Sequence, residues 1–95
     1  MRIRWLPEAV ADLERIDAYW TEIDPLLAQR VAQRLIEMAE SLKDMPDRGR
    51  PSRADPDSRE IVGRFGKGAF ILRYRSFEAE RIVVQVRHSR EQAGL

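Results

Sequence analysis

With 95 residues and 11.1 kDa, the chain has room for one domain spanning residues 1–95 and none for a second. Hydrophobic residues at 43% and charged residues at 35% exclude a disordered or low-complexity chain, and the absence of cysteine excludes disulfides, thiolate chemistry and Cys-based zinc sites. The net charge of +1 hides an asymmetry: residues 1–45 carry six bases against nine acids, residues 46–95 eleven against seven.

Met1 to Trp5 alternates, with Ile3 and Trp5 on one side and Arg2 and Arg4 on the other, the period of a half-buried strand. Pro7 then stands as a first helical residue with Glu8 behind it, and Val10, Leu13, Ile16, Trp20 and Ile23 recur at helical spacing. Asp24-Pro25 opens a second helix with the stripe Leu27, Val31, Leu35, Met38 and Leu42, which ends at Met45-Pro46. So short a connection predicts an antiparallel helical hairpin. The longest uninterrupted apolar run, Ala69 to Leu72, is far too short to span a bilayer, and the first ten residues lack a secretory apolar stretch. A cytoplasmic protein without membrane contact is expected.

From Met45 to about Ser58 the sequence has three prolines, one glycine and no apolar period, which reads as an irregular connection. Arg59 to Phe65, Ala69 to Arg75 and Arg81 to His88 are rich in Ile, Val, Phe and Tyr and read as a three-stranded antiparallel meander. A loop at 76–80 and a Gly66-Lys67-Gly68 turn set the expected register. They place Val62, Phe70, Leu72, Tyr74, Ile82, Val84 and Val86 on the face that receives the helices. The reverse face then holds Arg59, Arg75 and Arg81 in one row, with Ile61, Phe65, Ile71 and Val83 left uncovered. Such an apolar patch marks a protein contact site. Three arginines in a row repel one another, so they call either for an anionic partner or for nearby Asp and Glu.

The order strand, helical hairpin, meander is similar to the RelE/ParE superfamily of small type II toxins, and the local sequences resemble its ParE branch. The residues that carry this are Pro7-Glu8-Ala9 with Asp12-Leu13, then Pro46-Asp47-Arg48-Gly49-Arg50-Pro51 followed by Arg59-Glu60-Ile61-Val62, and finally Ile71 to Arg75 with Val84 to Arg90. The resemblance implies a RelE/ParE-like α+β fold. It also implies a toxin neutralised by a cognate ParD-like antitoxin in a hetero-oligomer, with no cofactor. ParE-like members poison DNA gyrase, whereas RelE-like members cut mRNA on the ribosome with arginines and a late tyrosine or histidine. Where RelE-like toxins commonly carry an arginine after the start of the middle strand, this chain has Phe70, and its tail Glu91 to Leu95 has no tyrosine. The expectation is therefore a gyrase inhibitor without catalytic residues. A ribosome-dependent mRNA interferase and a non-toxic interaction module stand as the alternatives. Leu6 replaces the Ser or Thr that often caps the first helix in the branch.

Arg73, Arg75, Arg81, Arg87, His88 and Arg90 are the candidates for target binding. Trp20, Ile61, Phe65, Ile71 and Val83 are the candidates for the antitoxin, which the strand edge Arg59 to Phe65 and the groove beside the helices suit by strand addition or helix docking. His88 is open to two readings, a histidine satisfied structurally or a general acid. Glu8, Asp12, Glu14 and Asp17 lack histidine or loop geometry and read as a solvated helix face, not a metal site. Gly66-Lys67-Gly68 has no strand-to-helix context and is a hairpin turn, not a phosphate loop.

Overall fold

The computed structural model describes residues 1–90; the tail in which the sequence lacks the late tyrosine lies outside them. Strand β1 (Arg2–Trp5) leads into helices α1 (Pro7–Ile23) and α2 (Pro25–Glu40). A single 3-10 turn at Ser41–Lys43 precedes the short β2 (Arg50–Pro51), and β3 (Ser58–Phe65), β4 (Gly68–Phe77) and β5 (Glu80–His88) follow. The sheet order is β1-β5-β4-β3-β2, antiparallel except for β1, which runs parallel to β5. This is the expected α+β arrangement, with β1 and β2 added at the two sheet edges.

Both helices start as their sequences dictate. Pro7 occupies the first turn of α1, and Leu6 at the N-cap makes no side-chain hydrogen bond. Asp24 serves two helices: its N–H donates to Trp20 O (2.8 Å) to close α1, and its Oδ1 accepts from Leu26 N (3.0 Å) to open α2. The α2 stripe buries Val31, Leu35 and Met38, continued by Leu42, while α1 buries Ala9 and Ile16 and packs Leu13 and Trp20 against them. Val10 and Ile23, expected on the inner stripe, are exposed because Ala9 takes the inward position one residue earlier.

The meander departs from the expected register. The β4–β5 turn is only Glu78-Ala79, so Phe77 pairs with Glu80, and the β3–β4 turn is Gly66-Lys67. Gly66 takes φ 58° and Glu78 φ 53°, the left-handed backbone that so tight a hairpin needs at its first turn residue. Strands therefore run through 76–80, where a loop was expected, and Tyr74 faces Val83 in place of Ile82. A β-bulge opposite Arg73/Tyr74 then shifts the pairing again, so that Leu72 faces Val86 and Phe70 faces His88.

The inner face is Ile61, Phe70, Leu72, Tyr74, Val83 and Val86. Phe70, Leu72, Tyr74 and Val86 were expected there. Val62 is instead 49% exposed, and Ile82 and Val84 are only partly buried. Ile61 and Val83, taken as uncovered antitoxin contacts, are core residues because the one-residue slip reverses their face.

Candidate functional site

The helices lie on one face of the sheet, and the opposite face carries no helix. On it, register places Arg50, Glu60, Arg73 and Gln85 in one row and Val62, Ile71 and Arg87 in the next. Ile71, Arg73 and Arg87 are each half-buried, and Arg73 Nε is buried with no hydrogen-bond partner. Of the candidate residues, this face brings together Arg73, Arg75, Arg87 and Ile71.

The expected row of three arginines does not exist. Arg59 turns to the inner side and donates to Gly49 O (3.1 Å). Arg75 grips Asp55, with its Nε 3.0 Å from Oδ2 and a second contact from Nη2. This hydrogen bond, then that from Asp57 N–H, holds the Asp55 carboxyl below its ordinary value. Arg81 is only 8% exposed. It donates to Pro46 O (2.8 Å), Glu80 O (3.0 Å) and Glu78 O (3.2 Å), and reaches Asp47 at 3.4 Å. It is a staple for the connection after α2: four of its five N–H donors are engaged within the chain and the side chain is buried, which leaves it little to offer a target. Tyr74 completes the staple by donating to Arg48 O (2.6 Å), and burial pushes its phenol above the ordinary value.

At the other end of the sheet, the remaining candidates converge in a cleft of about 680 Å³ between the tip of the helical hairpin and the β3–β4 turn. Trp20, Phe65, His88 and Arg90 line it, joined by Arg15, Tyr19, Leu27 and Lys67. The rings hold one another edge-on. Trp20 lies 6.1 Å from Phe65 and 6.1 Å from His88, and Phe70 beneath lies 5.1 Å from His88. Arg90 N–H donates to His88 Nδ1 (3.1 Å). Gly68 leaves room for that ring, since a Cβ there would stand 2.7 Å from Nε2.

Asp12, read as part of a solvated helix face, accepts Val86 N–H at 2.9 Å and so braces β5 just past its bulge, while also pairing with Arg15 at 3.5 Å. No sequence pattern announces this bond, which joins residues far apart in the chain. Tyr19 and Lys67 were also missed. The apolar period passes over Tyr19, and Lys67 sits in a turn that reads as connection only. Among the described residues no three His, Cys, Asp or Glu side chains come together as a metal site, and no helix is long and apolar enough to cross a membrane.

The same architecture occurs in a solved chain of the chromosomal ParDE TA system from P. aeruginosa, with a TM-score of 0.76 and 24% identity over 90% of this chain and 92% of that one. In sequence the chain is similar to Toxin RelE1 of Caulobacter vibrioides, 34% identical over 88% of each. It is also similar to Toxin RelE2 of that organism, 33% identical over 93% of this chain and 94% of the relative. Residues 3–93 match the family described as ParE toxin of the type II toxin-antitoxin system parDE, so this chain, from β1 to the cleft, belongs to the ParE toxin family.

Proposed function

We propose that this type II toxin arrests growth by binding DNA gyrase, does not cut RNA, and is kept inactive by a ParD-like antitoxin. The observation that carries the reading is Phe70. At the position where the resemblance would put a catalytic arginine, a phenylalanine points into the core with 0% exposure. Phosphodiester cleavage needs charge stabilisation aimed at the scissile group, and a buried phenyl ring supplies none. The open sheet face with Arg73 and Arg87 supports a binding role, because arginines beside apolar Val62 and Ile71 are the composition of protein interfaces.

Two observations favour a second reading, ribosome-dependent mRNA cleavage. The Caulobacter relatives carry the name RelE, and His88 shares its cleft with Arg15, Lys67 and Arg90. Induced expression separates the two. The gyrase reading expects a DNA-damage response with intact mRNA, and codon-positioned mRNA cuts would install the second reading in its place.

For the antitoxin, the free edge of β3 remains available in part. β2 pairs only with Arg59 and Glu60, so no strand pairs with the edge of β3 beyond Glu60; Arg34 Nε donates to Arg64 O there (3.2 Å), which leaves Val62 as the part of the edge open to an added strand.

A further inference from the structure

We infer that the free chain pairs with a second copy of itself by two-fold exchange of hairpin tips: the turn at residues 22–26 of each copy seats in the aromatic cleft of the other. The inference goes beyond the toxin reading and does not depend on what the target is.

The tip is a fixed projection. Thr21 to Leu26 are all exposed, Ile23 at 57% and Leu26 at 71%, and Tyr19 one turn earlier is 62% exposed. Singly such exposure is ordinary, but three large apolar side chains at one helix end form a patch that gains free energy when a partner covers it. Asp24 fixes their presentation: its N–H closes α1 on Trp20 O, its Oδ1 opens α2 at Leu26 N, and Pro25 restricts the backbone between. A patch that is already rigid loses little conformational entropy on docking.

The surface that matches it lies beside it. The cleft of about 680 Å³ is within the range of preformed sites, roughly 300–1,000 Å³, and its walls are apolar: Ile16, Trp20, Leu27 and Phe65. Tyr19 lines the cleft, and Ile23 follows it by one turn of α1, about 6 Å along the axis, so tip and cleft are neighbours at one end of the molecule. Neighbouring complementary surfaces close on themselves under a two-fold axis placed between them, and every contact is then made twice.

Charge selects this occupant. Every charged residue that lines the cleft among the described residues is basic: Arg15, Lys67 and Arg90. Arg15 already shares Asp12, but Lys67 and Arg90 make no ion pair with any described residue. The tip is the opposite. Glu22 and Asp24 flank Ile23, and Glu22 makes no ion pair with any described residue; the next cation along α2, Arg30, stands a turn beyond Leu26. Carboxylates on either side of an apolar side chain complement two cations at the mouth of an apolar hollow in both sign and polarity. The open sheet face offers no such match to itself, because a two-fold contact there would set Arg50, Arg73 and Arg87 against their own copies.

Sedimentation equilibrium of the purified chain, free of antitoxin, from about 1 to 500 μM should show monomers in exchange with dimers and nothing larger, since two short tips make a small interface of micromolar strength. Leu26→Asp, Glu22→Lys and Lys67→Glu, all at exposed positions, should each weaken the dimer about tenfold while the melt of the dilute chain stays that of the parent. Glu22→Lys combined with Lys67→Glu should return the dissociation constant to within about threefold of the parent, a rescue that requires the two positions to meet. The chain has no cysteine, so a mixture of Glu22→Cys and Lys67→Cys chains should be joined by a short bis-maleimide faster than either variant alone. A monomer throughout the concentration range would overturn the inference, as would a dimer indifferent to Leu26→Asp and Glu22→Lys, or association that runs on past two copies. The crosslinking carries the test even where a charge variant fails to fold: equal rates for the mixed and the single variants would overturn it too.

Discussion

The two ends of the sheet use their basic residues in different ways. At the end that carries the β4–β5 turn, Arg59, Arg75 and Arg81 are taken up by the connection after α2, bonded to Gly49 O, Asp55, and Pro46 O with Asp47. At the end that carries the β3–β4 turn, Lys67 and Arg90 stand at the rim of an aromatic cleft without an ion pair among the described residues. Arginine at one end substitutes for secondary structure in a proline-rich loop by satisfying its carbonyls. The charges of Lys67 and Arg90 make no such contact among the described residues, and this separates residues that build the molecule from residues that can meet a partner.

The sharpest way to break the comparison is to remove Arg81. Arg81→Ala leaves the carbonyls of Pro46, Glu78 and Glu80 without their donor, and should cost about 2–4 kcal/mol in denaturant unfolding. Lys67→Ala and Arg90→Ala should each stay within about 0.5 kcal/mol of the parent. Similar costs at both ends would end the distinction.

Two glycines sharpen it at the level of packing. A Cβ on Gly63 would stand 2.5 Å from Met38 Sδ and 2.9 Å from Arg34 Nη2, so Gly63→Ala should destabilise by about 1–3 kcal/mol as α2 is pushed off β3. Gly68→Ala meets the His88 ring, which can turn into the cleft. Its mark should be a change in Trp20 emission more than a loss of stability.

How far the fold was legible follows from where the chain announces itself. Pro7, Asp24-Pro25 and the α2 stripe are local signals, and the helices formed where these signals stand. The register was not legible, because Glu78 takes a left-handed conformation that a glutamate does not advertise and because a bulge leaves no compositional trace. Hence Ile61 and Val83 were placed outside and Val62, Ile82 and Val84 inside. Of the cleft, Trp20, Phe65, His88 and Arg90 were named singly, but their meeting depends on a register and a helix tip that only tertiary packing sets. The same backbone at Glu78 gives a smaller prediction. Glu78→Gly relieves the positive φ and should stabilise by up to about 1 kcal/mol, the relief being partly offset by glycine's greater freedom in the unfolded chain.

At the stapled end, two shifted groups make stability depend on pH. Asp55 has its folded-state value lowered, so the Arg75 pair contributes above the ordinary value of 3.8 and is lost as pH falls through the lower, folded value. Tyr74 has its value raised by burial, so above pH 10.0 the unfolded chain ionises first and stability falls as pH rises. In a series of melts, Asp55→Asn should flatten the acid limb and Tyr74→Phe the alkaline limb.

The assignment of this toxin to gyrase is tested most directly by a supercoiling assay with purified chain and purified gyrase. The proposal predicts inhibition that weakens in folded Arg73→Ala and Arg87→Ala variants whose melting temperatures match the parent. Undiminished supercoiling at every toxin concentration, together with cleavage of ribosome-bound mRNA by the same preparation, would contradict it.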